Sequence, residues 1–450
     1  MLPVVALAGG VFTLYAVLAL RIAEGTYLEH WNLLFDLDSE AYATTLTRPL
    51  AELFEPPFGI LKHPLFTWLA LLARPWLALG FEAPAAAGLT TASAATAAVV
   101  LLWATLRVAG ARAWEAGLAA AVFALGAAQL FNGFLTDSYP FAALTIVAIL
   151  YFGFRRIRAP GTVAVPFALV AVAAFGVTVT NAAQAGIVDL TGRLKAAWPA
   201  LETPGRGRAL RAVVVDQTRF AAACALVAAV FVLFTWWGPL LAAAAEPIAT
   251  LKQLYWVQTK GETTGIGAVL LAFFGFAFVA PDFTLVDLPE HVMRDFRHYD
   301  MSGLGAVLLP LWIVLWAGTA ALALRAPRTR PYALAALGCI VFNVLLHLEF
   351  QFRFSVFLYA GHVWPAVAVV FGLGLIALRE LYAPPPRPVA AAVALLVLAA
   401  AANNAPRAWE AATAFDAYPP FDRPPLADLP AVGVVRGGEP PPAPAATTDP

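Results

Sequence analysis

The sequence has little of what a soluble protein is built from. Only 12% of its 450 residues are charged, against roughly a quarter in soluble domains, while 61% are hydrophobic and the mean hydropathy is +0.77. Cysteine occurs twice, Cys224 and Cys339, each inside an apolar run, so a disulfide framework is excluded and both read as small buried hydrophobes. No CxxC, HExxH, GxSxG or P-loop is present, which removes support for a zinc peptidase, a serine hydrolase or a nucleotide-driven machine. The formal charge is zero, with 28 basic and 28 acidic residues and no basic stripe, so nucleic acid is excluded as a partner. The first apolar run begins at Leu2 without a basic leader or a small-residue cleavage site, and reads as a retained span rather than a removed signal.

What is present is apolar sequence of membrane-spanning length, recurring at about 3–21, 85–107, 114–131, 139–154, 162–180, 219–241, 304–324, 332–348, 356–379 and 389–402. A shorter piece at 181–192 follows Asn181 and is expected to return the chain as a half-helix. Residues 64–80, with Arg74-Pro75 mid-run, and 265–281, short and glycine-rich, are read as helices lying at the interface. Counting either as a span would put Arg155, Arg156 and Arg158, or Arg325, Arg328 and Arg330, on the outer face, against the positive-inside tendency. The expected fold is an all-α polytopic membrane protein with about 11 transmembrane helices and interfacial helices in the first and fourth outer loops. It divides into a transmembrane unit at 1–402 and a proline-rich, disordered tail at 403–450. In this topology the N-terminus is cytoplasmic and the C-terminus periplasmic, with 16 basic and 5 acidic residues inside and 12 basic and 23 acidic outside. The zero net charge is thus two opposed charges of equal size.

The acids concentrate in outer segments. The first outer loop, 22–84, carries Phe35-Asp36-Leu37-Asp38-Ser39-Glu40-Ala41-Tyr42. Asp36, Asp38 and Glu40 can cluster at the head of a short helix and hold a divalent cation, Mg2+ or Mn2+, or supply a base toward a sugar hydroxyl; an acid-rich helix N-terminus capped by Asp38 or Ser39 has the same pattern. Lys62 and His63 beside Pro64 suit a lipid phosphate, and equally a snorkelling lysine with a surface histidine.

These residues carry a resemblance. A first span, an outer loop with Asp38, Glu40 and Tyr42, a Lys62-His63-Pro64-Leu65-Phe66 flat helix and then a span ending in Arg107 resemble the GT-C superfamily of membrane glycosyltransferases. These use polyprenyl- or dolichyl-phosphate sugars and include the protein mannosyltransferases and the aminoarabinose transferase of lipid A. The tyrosine stands one place closer than in some variants of the motif. The general topology matches throughout, and the local motifs lie in 22–110. The resemblance implies an inverting transferase whose base is a first-loop acid. Asp38 matches best, with Glu40 and Asp36 as alternates. It implies a polyprenyl-phosphate sugar as donor and a lipid, glycan or protein acceptor at the periplasmic face of a bacterial inner membrane. Arginine outnumbers lysine 24 to 4, which with the alanine and proline richness suits a GC-rich bacterium.

The departing phosphate needs cationic help. Candidates are Lys62 and His63, Arg353 at the outer end of one span, and Tyr359 and His362 just inside the next; ionisable groups at membrane depth are costly and point to sites. Asn132, Asp137, Tyr139 and Asn181 face the same side. The segment 242–303, with Lys252, Tyr255, Trp256, His291 and His298, is long enough to fold over a site as an acceptor-binding lid, or to form an interfacial aromatic belt. Two rival functions remain. A transporter or lipid flippase needs ionisable groups near mid-membrane, where these spans have almost none. An O-antigen-type polymerase or ligase would take a diphosphate-linked glycan.

Overall fold

A computed structural model describes residues 2–29, 33–53, 62–160, 162, 164–203, 205–245, 265–287, 292–296, 301, 303–350, 355–383 and 386–414. In chain order the helices are α1 Leu2–Glu24, α2 Ser39–Thr47, α3 Ala70–Ala78, α4 Ala83–Ala109, α5 Ala113–Leu125, α6 Ala127–Asn132, α7 Tyr139–Arg158, α8 Ala164–Val177, α9 Ala182–Leu201 and α10 Arg206–Ala245. They continue with α11 Ile266–Leu270, which runs into a π-helical turn, Leu271–Phe276, and then α12 Gly303–Arg325, α13 Arg330–Glu349, α14 Ala360–Tyr382 and α15 Pro386–Thr413.

Among the described residues eight helices are long and apolar enough to cross a membrane: Val4–Glu24, Ala83–Ala109, Tyr139–Arg158, Arg206–Trp237, Gly303–Arg325, Arg330–Glu349, Phe357–Tyr382 and Arg387–Thr413. The protein is an all-α polytopic membrane protein; its described strands are one antiparallel hairpin, β1 Thr284–Asp287 with β2 Val292–Asp295. The count by length and apolarity is eight where about 11 were expected, because α5 and α8 are short and α9 carries Asp189, Arg193 and Lys195.

Basic residues gather at one end of the bundle. Arg158 at the end of α7 donates to Val108 O at the end of α4 (3.5 Å). Arg379 at the end of α14 donates to Glu115 and to Gly110 O (3.0 and 3.1 Å), and Arg328 pairs with Glu380 (3.4 Å). The opposite end carries the first loop, the α6–α7 and α8–α9 turns and the hairpin. Most buried of the eight is Phe357–Tyr382, with α14 packed on α5, α7, α12 and α13.

Three expectations are corrected. The half-helix at 181–192 is a 20-residue helix, α9, whose polar stretch is tolerated because Arg156 of α7 and Arg193 clamp Asp189 (2.8 and 2.7 Å). The last helix does not stop at 402: Asn403 and Asn404 look like the start of a tail, yet both are buried and bonded inside the bundle; residues 415–450 lie outside the described residues. The 265–281 segment, expected at the interface, packs into the bundle through Phe273 and residues 276–280, which are buried. Finally, the span at 114–131 is broken at Gly126, which is extended (ψ 142°).

That break leaves backbone groups that lipid cannot satisfy, and the surrounding helices satisfy them. Phe123 O accepts from Trp364 Nε1 (2.9 Å), Ala124 O from the Tyr15 hydroxyl (2.7 Å) and Leu125 O from Asn404 Nδ2 (2.8 Å). On the other side of the break, Ala127 N and Ala128 N donate to Phe278 O and Ala277 O (3.2 and 2.9 Å). A Cβ on Gly126 would meet the Trp364 ring at 2.3 Å, so the closeness of α14 demands glycine there.

Candidate active site

The first loop is pinned by its aromatic residue and strained at its acid. Phe35 sits in a ring cluster with Phe131, Phe283, Phe296 and Phe357, at centroid distances of 5.3, 5.9, 4.8 and 4.8 Å. Its backbone N–H donates to Arg294 O (2.9 Å), and Arg294 N–H donates to Leu33 O (2.9 Å), so the hairpin grips the loop by its backbone. Phe35 and Asp36 both adopt left-handed conformations, with φ of 55° and 57°, each disfavoured for a non-glycine residue by about 1 kcal/mol or more. With Phe35 fixed, Asp36 and Asp38 are buried at the loop end of the bundle. Asp38 precedes α2 without capping it through its side chain, and Glu40 lies in the first turn of α2.

A second strand of chain, Lys62 to Leu65, is laced to the α8–α9 turn. Val179 N–H donates to Lys62 O (3.1 Å) and Leu65 N–H to Gly176 O (2.9 Å); Trp236 Nε1 donates to Pro64 O. His63 Nδ1 bonds Val177 O. This fixes the tautomer, and burial pushes the ring down to about 4. His63 is therefore neutral, with its donor already used, and positions the segment rather than supplying charge to a phosphate.

The neighbouring cation is Lys62. Burial pushes its ammonium down to about 8, while Asp36 and Asp137 act in the opposite direction. Asp137 comes from the α6–α7 turn and was not among the leading sequence candidates. Burial raises its carboxyl to about 7, although Ser138 donates to Oδ1 from both N–H and hydroxyl (2.5 and 3.0 Å) and Lys62 opposes the shift. Tyr27 and Tyr42 are buried within electrostatic reach of Asp137, and burial raises both phenols; the Tyr27 hydroxyl shares a hydrogen bond with Ser39 (2.9 Å). An acid and a base displaced toward each other in one buried place are the arrangement proton transfer near neutrality needs.

From the core side the site is floored by rings. Tyr359 stacks on His347 (4.2 Å) and His347 on His362 (5.7 Å), while His362 packs at a tilt against Tyr139 (5.0 Å). The structure thus brings together Asp36, Lys62, Asp137, Tyr139, Tyr359 and His362 from widely separated segments. Arg353, Lys252, Tyr255, Trp256, His291 and His298 lie outside the described residues. Among the described residues no group of three or more His, Cys, Asp or Glu side chains gathers to hold a metal ion, and no chemical step is assigned to one.

No family profile matches the sequence, and no curated protein sequence does. Among solved structures, the chain is similar to the apo-form crystal structure of the Archaeoglobus fulgidus oligosaccharyltransferase, with 15% identity and a TM-score of 0.44 over 90% of this chain. The match spans 56% of that protein's length.

Proposed function

We propose that the protein is an inverting glycosyltransferase of GT-C type. It moves a sugar from a polyprenyl-phosphate donor to an acceptor hydroxyl at the periplasmic face of a bacterial inner membrane. The observation that carries this reading is the buried set of Lys62 with Asp36 and Asp137 at the end of the bundle opposite the arginines. A buried cation within electrostatic reach of two carboxylates suits a lipid-bound phosphate as leaving group. Asp137, with its proton affinity raised to about 7, is the base: it takes the acceptor hydroxyl proton as that oxygen attacks the anomeric carbon. The bond from that carbon to the phosphate oxygen breaks on the opposite face, and the oxygen leaves with the electron pair toward Lys62. Asp36 keeps Lys62 charged in the free enzyme. The first-loop resemblance to GT-C enzymes points to the same class of reaction.

The test is transfer by purified protein across a panel of polyprenyl-monophosphate and polyprenyl-diphosphate sugars, comparing Asp36→Asn, Asp38→Asn and Asp137→Asn. Turnover with inversion from a monophosphate donor, lost most completely in Asp137→Asn, is expected. Transfer retained in that variant and lost in Asp38→Asn would move the base to the first loop; no turnover with any donor would favour transport. Orientation is checked by labelling Arg155→Cys, Glu290→Cys and Pro327→Cys in intact cells, where outside access at 155 or 327 would overturn it.

A further inference from the structure

Behind the ring stack runs a line of buried polar side chains that the chemistry above does not use. Asn181 and Gln184 lie at the start of α9, and Asn343 lies on α13 one turn below His347. All three are at most 1% exposed. They form one continuous track. Gln184 Nε2 donates to Asn181 Oδ1 (3.4 Å), Cys339 Sγ lies 3.9 Å from Gln184 O, and Asn343 Nδ2 donates to Cys339 O (2.8 Å). Asn343 and His347, four residues apart, share a helix face, and His347 stacks on His362. The α8–α9 turn that leads into Asn181 is the same turn laced to Lys62 and His63, so the track opens beside the charged set.

Each member is bonded at one end and open at the other. Asn181 Nδ2, Gln184 Oε1, Asn343 Oδ1 and both ring nitrogens of His362 are buried without a hydrogen-bond partner. Whichever way each amide is turned, one of its two ends stays open. Side chains that merely glue helices satisfy one another across the interface; an open donor or acceptor in an apolar bundle is destabilising. The open groups include a donor, acceptors and ring faces, with no charged side chain among them. That is the complement of a neutral polyol, whose hydroxyls both donate and accept and whose C–H face lies on aromatic rings.

We propose that Asn181, Gln184, Asn343 and His362 form the subsite for the donor's sugar ring, with Tyr139 and the His347–Tyr359 stack as its walls. This rests on the glycosyltransferase reading and adds to it that sugar and phosphate are held by different residues. Asn343 and its neighbours read the ring hydroxyls, and Lys62 reads the phosphate.

The experiment is native mass spectrometry of the full-length protein titrated with polyprenyl monophosphate, bare or carrying mannose, glucose, galactose or arabinose. The wild type is expected to bind at least one sugar-bearing lipid about tenfold more tightly than the bare lipid. Asn343→Leu and, separately, Gln184→Leu should reduce that preference to about twofold or less while leaving bare-lipid affinity unchanged. Lys62→Gln should weaken both lipids alike. If both leucine variants keep the wild-type preference, or lose both lipids together, the subsite is overturned while donor binding by the wild type leaves the enzyme reading standing. If the wild type binds no lipid of either kind, the enzyme reading falls and takes the subsite with it. Each variant removes one open polar group and one hydrogen bond, so its melting temperature is expected within a few degrees of wild type, and a preference lost in such a folded variant is lost recognition and not lost folding.

Discussion

Both ends of the bundle bury carboxylates, and they treat them oppositely. At the arginine end Glu115 and Asp189 are 1% and 3% exposed, and each is held by guanidinium: Arg379 on Glu115 at 3.0 Å, and Arg156 and Arg193 on Asp189 at 2.8 and 2.7 Å. At the loop end Asp36 and Asp137 are just as buried, each at 4%. There the counter-charge is a lysine that burial has weakened. Permanently charged arginine fixes an acid in one state; a lysine near its own titration leaves acid and base able to exchange a proton. Burial alone therefore does not mark a site, whereas burial with incomplete compensation does.

The largest effect separating the two ends should be catalytic. Lys62→Gln and Asp137→Asn are each expected to lower transfer about a thousandfold, measured as turnover per folded molecule, and Asp137→Asn without lowering the melting temperature in detergent. For Asp137 the sign follows from linkage. A carboxyl raised from 3.8 to about 7 on folding favours the native state below pH 4 and loses that advantage as pH rises through 7. Asn, which cannot ionise, should therefore hold or raise stability at pH 8.

At the other end the expectation reverses. Arg379→Gln strands Glu115 and should destabilise the bundle by about 3–5 kcal/mol, seen as a lower melting temperature, while turnover of the folded fraction stays near wild type. A thousandfold loss of turnover there would break the division.

The pH profile sharpens it. Activity should rise as Asp137 deprotonates near 7 and fall as Lys62 deprotonates near 8, giving a narrow bell. Lys62→Arg should remove the alkaline limb below pH 10, because guanidinium does not titrate there. The smallest effect belongs to the strained loop. Asp36→Gly should stabilise by about 1 kcal/mol in thermal melts by relieving a positive φ and still reduce transfer, since Lys62 loses a partner.

Much of this was legible in the chain. Arg107, Arg155–Arg158, Arg325 and Arg379 announce one end of the bundle, and the density of acids and aromatics in 22–84 announces the other. Lys62 and the depth of His362 were readable for the same reason: polar atoms in apolar sequence need a purpose. What sequence could not give was compensation at a distance. The 181–192 stretch reads as a half-helix until Arg156 is seen beside Asp189. Asn403 and Asn404 read as a tail until Ala280, Phe278 and Leu125 are found on their amides. Asp137 was visible on the correct side, but its displaced proton affinity comes from burial contributed by other segments. The Asp137-Ser138-Tyr139 turn just ahead of a span, with Asn132 before it, was the one signal that could have raised its rank.

The broken helix at Gly126 has a consequence for biogenesis. Its open carbonyls are closed by side chains from α1, α14 and α15, and its open amides by the turn after the π-helix. In a chain inserted from its N-terminus, Leu125 O meets its partner only when residue 404 has arrived. Until then the break between α5 and α6 carries an unsatisfied polar patch facing lipid or water. The last helix therefore acts as a latch on assembly, and the site beside the α6–α7 turn can become rigid only after nearly the whole chain has been made.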